Sequence, residues 1–388
     1  MIYSDFNGNQ LSLLGFGMMR LPTLEDESID EEQTAEMLDY AIKNGVNYFD
    51  TAFPYHNGKS EIVTGKLLKK YPRDSYYLAT KYPGHQIAES YNPQETFELQ
   101  LQKCGVDYFD FYLLHNIHEK SVEVYMDPQW GIVDYFVEEK KKGRIRNLGF
   151  SFHGNPETLE KFLDYCGDKI DFCQIQLNYL DWTLQEAEKK YNILTQRGIP
   201  VWVMEPVRGG KLAKLDDFDE KMLWDMRPKE STAAWAFRWL QGLSNVKMIL
   251  SGMSNIEQVK DNIKTFSERK TLSLKESERL MRIAEGLKNS IACTSCRYCC
   301  KGCPKQLDIP ELIKIYNDMR YQNGIVPVMR MGAFPPEKLP SACIGCKKCE
   351  ASCPQDIKIS SVMKKFADLL DKQKTWEDIC RERAEKCK

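Results

Sequence analysis

Phe109-Asp110-Phe111-Tyr112-Leu113-Leu114-His115 is a seven-residue run, apolar but for Asp110, that stops on an imidazole. A run of that length, rich in aromatic residues, reads as a strand of a parallel sheet, buried on both faces. Seven more short apolar runs lie on either side of it, at 14–18, 47–50, 76–81, 146–151, 172–176, 201–204 and 246–251. Amphipathic stretches separate them and predict helices over 31–43, 93–104, 129–142, 156–165, 184–197 and 232–240. In the first of these Leu38, Ala41 and Ile42 form the apolar face, and Asn44-Gly45 supplies the stop. Asn7-Gly8 predicts a hairpin turn ahead of the first strand. Eight βα units within about 270 residues predict an α/β fold, a (β/α)8 TIM barrel. An open doubly wound sheet fits less well, because Gly15-Phe16-Gly17 is followed by Met18, Met19 and Arg20 instead of completing a dinucleotide fingerprint.

Beyond the barrel the sequence repeats one spacing. Cys293-x2-Cys296-x2-Cys299-x3-Cys303-Pro304 returns as Cys343-x2-Cys346-x2-Cys349-x3-Cys353-Pro354. Each run resembles the ligand run of a bacterial-type ferredoxin, in which three closely spaced thiolates hold one 4Fe–4S cube and the fourth belongs to the other. The resemblance implies two 4Fe–4S clusters, one held by Cys293, Cys296, Cys299 and Cys353, the other by Cys343, Cys346, Cys349 and Cys303. A zinc ribbon would explain neither the third cysteine of each run nor the repeated Cys-Pro. The first run and the second are separated by a predicted helix over 310–321 and a loop rich in Gly, Pro and Met, and a last helix is expected over 360–371. That interval is longer than in the small ferredoxin repeat and predicts a small, mainly helical ferredoxin-like iron–sulfur domain. The expected organisation is a barrel over 1–273, a helical linker over 274–288 opening through Asn289-Ser290, and the cluster domain over 289–388.

Composition narrows the partners. With 388 residues, a net charge of −2 and no basic stripe interleaved with aromatics, nucleic acid is not an expected partner. No run approaches the roughly 18 apolar residues of a membrane span, and no membrane partner is expected. Met1-Ile2-Tyr3-Ser4-Asp5 has neither a basic start nor an apolar signal core, so a cytoplasmic, reducing location is expected and disulfides are not. Of the 14 cysteines, Cys300 lies inside the first run and Cys104, Cys166, Cys173, Cys380 and Cys387 lie outside both. Cys104, Cys166 and Cys173 read as small buried hydrophobes. Trp130, Trp182, Trp202, Trp224, Trp235 and Trp239 read as core or loop anchors, with Trp182 a candidate pocket wall.

Catalytic groups of such barrels stand where strands end. Asp50 ends one run, Tyr55 follows in the next loop, Lys81 ends another and His115 a third. The text Asp50-Thr51-Ala52-x2-Tyr55-x2-Gly58-x-Ser60-Glu61-x3-Gly65-Lys66, then Lys81, then Leu113-Leu114-His115, then Gly143-Arg144-Ile145-Arg146-x2-Gly149-x-Ser151 resembles the aldo/keto reductase family over roughly residues 10–265. The resemblance implies that the Tyr55 hydroxyl is the general acid that protonates a carbonyl oxygen as hydride arrives at carbon. A phenol with a pKa near 10 is a reluctant donor, and an ammonium beside it stabilises the developing phenolate. Lys81 would be that ammonium, Asp50 its partner, and His115 would orient the carbonyl of a small carbonyl or alcohol substrate.

The same resemblance implies bound NADP or NAD. Ser151 and Gln174 would hold the carboxamide, with His153 or Gln176 nearby. Met204 stands where family members often stack a tyrosine under the nicotinamide, and Met18 joins the cofactor set. The loop Glu205-Pro206-Val207-Arg208-Gly209-Gly210-Lys211 offers amides and two cations to a pyrophosphate, with Pro206, Arg208 and Gly210 as contacts. Ser251, Gly252, Met253, Gln258 and Asn262 would meet the adenosine end. Gly252 and Gln258 replace the Lys and Arg that NADPH-specific members set against the 2′-phosphate, so weak NADPH discrimination or NADH use is expected. His118 and Glu119, in the loop after the fourth strand, read as solvated.

A nicotinamide moves electrons in pairs and a 4Fe–4S cluster moves one. A flavin could convert between them, but neither half carries a flavin motif. Three functions are open at this point: an NAD(P)H-linked carbonyl reductase or alcohol dehydrogenase coupled through its clusters to an external ferredoxin or flavoprotein; an ordinary reductase with structural clusters; and an electron-transfer protein whose barrel has lost its chemistry.

Overall fold

The computed structural model describes residues 1–86, 88–288, 291–321, 328, 330–376, 378 and 379. Asn289-Ser290, most of the Gly/Pro/Met-rich loop after residue 321, Cys380 and Cys387 lie outside the described residues. Two compact units divide the chain, one of Met1–Arg208 and Leu212–Met281, the other of Gly209–Lys211 and Arg282–Lys388. The division falls inside the helix Leu274–Lys288.

The first unit opens with a hairpin of β1 (Tyr3–Phe6) and β2 (Asn9–Ser12). Asn7 and Gly8 both take positive φ, 51° and 78°, which a two-residue turn between right-twisted strands requires. Eight parallel strands follow: β3 (Leu14–Gly17), β4 (Tyr48–Asp50), β5 (Tyr77–Tyr82), β6 (Phe109–Ile117), β7 (Ile145–Phe152), β8 (Phe172–Gln176), β9 (Val201–Met204) and β10 (Val246–Gly252). They pair in chain order, and β10 closes the barrel onto β3. All eight expected runs are strands, two with unchanged ends and the rest with ends moved by one or two residues.

Strand alternation builds the interior in layers. Tyr48, Ala79, Phe111, Leu113, Phe172, Trp202, Met248 and Leu250 point inward and pack together. Their neighbours Phe49, Leu78, Tyr112, Leu114, Leu148, Phe150, Ile175 and Val203 point outward, into a larger core shared with the helices. Phe6 of the hairpin packs edge-on against Trp202 with ring centroids 4.8 Å apart, which stoppers the end where the strands begin. Gly149 is required here, since a Cβ on it would meet the Phe172 ring at 2.5 Å.

The helices depart from expectation in identifiable places. The one expected over 129–142 starts at Ile132, because Gly131 turns left-handed at φ 54°. The one expected over 184–197 divides into Asp181–Leu184 and Ala187–Gln196 around Glu186, at φ 50°. Ser60–Leu68, Asp217–Met226 and Ile256–Phe266 are helices the periodicity did not single out. Trp224, expected as an anchor, stands 53% exposed on the second of these. Trp202 and Trp235 are fully buried, as are Cys104, Cys166 and Cys173.

In the second unit the backbone repeats itself fifty residues on. Short helices Tyr298–Lys301 and Lys348–Ala351 are followed by longer ones, Ile309–Tyr321 and Ile359–Leu370. Left-handed residues recur at the same offset, Ser295 with Gly345, Arg297 with Lys347 and Gln306 with Asp356. Ile309, Ile313, Tyr316, Ile359, Met363 and Phe366 form a core between the long helices. Among the described residues no helix is long and apolar enough to cross a membrane.

Candidate active site

The inward layer that carries Tyr48, Ala79 and Leu113 continues two residues on as Asp50, Lys81 and His115, so a polar tier caps an apolar one. Asp50 is the last residue of β4, beside Gly17 of β3 and Ala79 of β5. Lys81 Nζ donates to Asp50 Oδ1 at 2.5 Å and to the Thr51 carbonyl at 2.7 Å, and its side chain is fully buried. Burial opposes charging this ammonium, but Asp50 and Tyr55 outweigh it and hold its pKa above the ordinary value. For Asp50 burial wins and the carboxyl is raised, with Lys81 pulling the other way.

Tyr55 comes from the loop after β4. Two successive left-handed residues, His56 and Asn57, follow it and turn the chain back towards the helix Ser60–Leu68. Its ring lies 4.9 Å from Lys81 Nζ and 6.0 Å, edge to face, from the His115 ring. Burial raises its hydroxyl, and the charge of Lys81 and a hydrogen bond with it draw it back down. His115 is kept neutral, its pKa well below the ordinary value because of burial first and then His85, Lys81 and His153. Its Nδ1 is buried without a hydrogen-bond partner.

The motif residues after Tyr55 brace this tier from outside. Glu61 is fully buried and accepts from Thr80 Oγ1 at 2.7 Å, Gln100 Nε2 at 2.6 Å and Lys103 Nζ at 3.0 Å. Gln100 Nε2 also donates to the Lys81 carbonyl at 3.0 Å. Ser60 Oγ bonds Thr51 Oγ1 at 2.8 Å and donates to the Met18 carbonyl at 3.0 Å. At Gly65 any Cβ would run into the Cys104 carbonyl, so this glycine lets two helices touch backbone to backbone.

The residues expected to meet a nicotinamide stand at the rim. Ser151 and Gln174 are register partners on β7 and β8. Ser151 Oγ accepts from the Asn116 amide at 2.7 Å, while Gln174 Oε1 is buried and unpartnered, an acceptor suited to an amide donor. Asn116 Oδ1, Glu205 Oε2 and Asp50 Oδ2 are also buried and unpartnered. Met204 ends β9 beside Gln176. Gln176 Nε2, however, is engaged by Asp181 Oδ2 at 2.8 Å.

Several expected contacts are placed otherwise. Arg208, fully buried, pairs through Nε with Asp181 Oδ1 at 2.9 Å, so it is not the free cation expected in the loop after β9. In that loop Pro206 is buried and Gly210 exposed. Ser251 faces outward by strand alternation and is tied to Asn262 Nδ2 at 2.9 Å. Gln258 accepts from the Ser254 amide at 2.8 Å. Met18 and Met253 are wholly buried in the core. Gly252 is exposed beneath the Arg20 side chain, and Arg20 reaches Glu205 at 3.4 Å; no local signal marked Arg20.

Histidines gather at this mouth. His85, in the loop after β5, lies 4.6 Å ring to ring from His115, with its Nδ1 buried and unpartnered. Burial and then His118 lower its pKa to about 4. His153 is lowered to about 3 by burial, Lys190 and then its neighbouring imidazoles. His118 is half-buried and bonded to Ser121 Oγ at 2.6 Å, not solvated as expected; Glu119 is exposed but accepts from the Asn155 amide at 2.6 Å. His85 escaped the sequence reading because only barrel closure brings it to His115.

The cysteines of the second unit line two cavities. Cys293, Cys296, Cys299 and Cys353 surround one, and Cys303, Cys343, Cys346 and Cys349 the other. Each takes three thiols from one half of the repeat and one from the other. Among the described residues no group of three or more His, Cys, Asp or Glu is suited to a single metal ion. Four thiols around a space suit a cube.

Comparison with known proteins bears on both units. Residues 13–285 match the model of the aldo/keto reductase family, and residues 292–358 that of the 4Fe-4S dicluster domain. Curated relatives include probable aldo-keto reductase 1 of Glycine max, 26% identical over 52% of this chain and 58% of that protein. The NADH-specific methylglyoxal reductase of Escherichia coli is 24% identical over 61% of this chain and 83% of that one. The holo form of an aldo-keto reductase from Bacillus halodurans superposes with a TM-score of 0.59 at 26% identity, covering 73% of this chain and 96% of that structure. A Klebsiella pneumoniae aldo-keto reductase in complex with NADPH, at 20% identity, shares the fold with a TM-score of 0.58 over 73% of this chain and 96% of that one. The chain belongs to the aldo/keto reductase family: it is an oxidoreductase barrel followed by a 4Fe-4S dicluster domain.

Proposed function

We propose that the barrel reduces a small carbonyl compound, or oxidises the corresponding alcohol, with Tyr55 as general acid and base. The supporting observation is a buried ammonium, Lys81, bonded to Asp50 and set under the Tyr55 ring beside a neutral His115. A nicotinamide held by Ser151 and Gln174 supplies or accepts the hydride when bound. Tyr55 passes its proton to the carbonyl oxygen, and the fixed charge of Lys81 stabilises the phenolate left behind. Asp50 keeps Lys81 charged and in place. His115, uncharged and with a free Nδ1, orients the carbonyl without competing as an acid.

Gly252 and Gln258 bring no cation of their own to the cofactor's adenosine end, and Arg20, which lies over Gly252, is paired with Glu205; this supports NADH use or weak NADPH discrimination, and the resemblance to an NADH-specific enzyme agrees. A strong preference for NADPH in kcat/KM would sink this part. The thiol-lined cavities support two 4Fe–4S clusters, and their closeness in one small core supports a redox role in which a one-electron partner exchanges electrons with the enzyme. Tyr55→Phe tests the whole reading. It is expected to lower carbonyl reduction by about 10²–10⁴-fold, the usual worth of a general acid, with cluster spectra unchanged. Full activity in this variant refutes the acid role, and cluster spectra that never respond to NAD(P)H, substrate or reduced ferredoxin refute the coupling.

A further inference from the structure

The two halves of the cluster domain share a backbone but not a charge. Arg297 lines the cavity of Cys293, Cys296, Cys299 and Cys353 and is neutralised by Asp308 at 3.1 Å. Fifty residues on, that ion pair becomes Lys347 and Lys358, two cations that cannot pair with each other. Lys347 and Lys305 line the other cavity, with Ile344 and Cys346. Lys301 and Lys348 sit on the two short helices, which lie against each other. All four lysines are exposed, and none forms an ion pair with another described residue. Glu350 feels the charges of Lys347 and Lys358 but forms an ion pair with neither; its carboxylate accepts from the Ser360 amide at 2.9 Å, and one acid leaves the lysines in excess. Ile344 is 60% exposed where the other half has Thr294, and Cys346 is exposed where its counterpart Cys296 is only partly so.

We propose that the mouth of the Cys303, Cys343, Cys346 and Cys349 cavity is the docking face for an acidic one-electron carrier protein, with Ile344 at its centre and Lys301, Lys305, Lys347 and Lys348 as its rim. This rests on the reading that the cavities hold redox-active clusters. An apolar spot ringed by one sign of charge suits a transient partner: the charges steer the encounter, and the small apolar contact lets the complex part quickly. One electron passes between carrier and cluster, so one is oxidised as the other is reduced, with no proton or bond exchanged. The more positive surroundings also favour the reduced, more negative state of this cluster over that of its neighbour.

The test uses the full chain loaded with iron and sulfide under anaerobic conditions, and a small acidic bacterial ferredoxin as probe. Binding is measured at low and moderate salt, and cluster reduction by the reduced ferredoxin is timed by stopped flow. Lys347→Glu with Lys348→Glu is expected to weaken binding at low salt at least tenfold and slow reduction similarly. Lys301→Glu with Lys305→Glu should do the same. The same charge change at Lys364 and Lys365, on the helix Ile359–Leu370, should do neither. Equal effects at Lys364 and Lys365, no binding by the wild type at low salt, or equally tight binding of a single-stranded RNA would overturn the docking face. Dithionite reduces the clusters without docking; clusters that stay oxidised under dithionite sink the redox reading itself, while the binding arm still judges the face.

Discussion

Replacing Lys81 by Met removes the only hydrogen-bond donor that Asp50 has among the described residues. The two charges stand 2.5 Å apart in the barrel interior. At an effective dielectric of about 20 they attract by roughly 6–7 kcal/mol, most of which offsets the cost of taking both from water. Deleting the ammonium leaves the Asp50 carboxylate desolvated and alone, for an expected loss of about 3–5 kcal/mol. Asp50→Asn with Lys81→Met removes both charges and should recover most of that loss. The sign of the pH dependence follows from the carboxyl, which burial already raises and which loses the two effects that lower it. With a folded pKa above the unfolded value, the folded variant binds more protons, so its stability is greatest at low pH and falls as pH rises through the folded pKa. The deficit relative to wild type should therefore be larger at pH 8 than at pH 5. Urea unfolding followed by tryptophan emission is the assay, because six of the seven tryptophans precede residue 281 and report on the barrel. A Lys81→Met protein within about 1 kcal/mol of wild type at pH 8, or a double variant as unstable as the single one, would refute the reasoning.

Burial keeps His115 uncharged, so the pH profile of kcat/KM should show no ionisation near 6.5 that disappears in His115→Gln. His85 has a folded pKa of about 4 against 6.5 unfolded, so stability is lost as pH falls from about 6.5 towards 4, and His85→Asn should flatten that limb in acid unfolding. Gly65→Ala forces a methyl into the Cys104 carbonyl and should cost about 1–3 kcal/mol or more, read as a fall in urea midpoint. Cys353→Ala should alter the electron paramagnetic resonance of the cluster of Cys293, Cys296 and Cys299 and spare the other; the reverse assignment would show that the thiols do not cross.

The barrel was legible because its strands are buried on both faces, which makes each an apolar run that polar loops interrupt. The polar tier was legible for the same reason in reverse: Asp50, Lys81 and His115 are ionisable residues where such runs end. The helix Asp217–Met226 was hidden by its acidic first turn and its exposed Phe218 and Trp224, which blur the apolar face. Ser60–Leu68 was hidden because polarity and burial run against each other along it: Ser60, Glu61 and Thr64 are buried while Ile62 is 42% exposed, so no apolar face marks the buried side. The outward turn of Ser251 and the pairing of Arg208 with Asp181 depend on register and on a partner 27 residues away, and neither leaves a local trace. His85 belongs to the same class, since its meaning comes from the strand beside it in space.

The crossing of thiols between the two halves has a consequence for how this protein matures. Neither half is a module, because each cavity lacks its last ligand until the other half is in place. With the proposed crossed ligands, the first cube to form would close a loop through both halves and hold the four remaining thiols near their final positions. The second insertion would then be the easier one. When iron is scarce, supply should divide the population into empty and fully charged molecules, with few in between, so a cell would hold fewer working copies instead of many half-built ones.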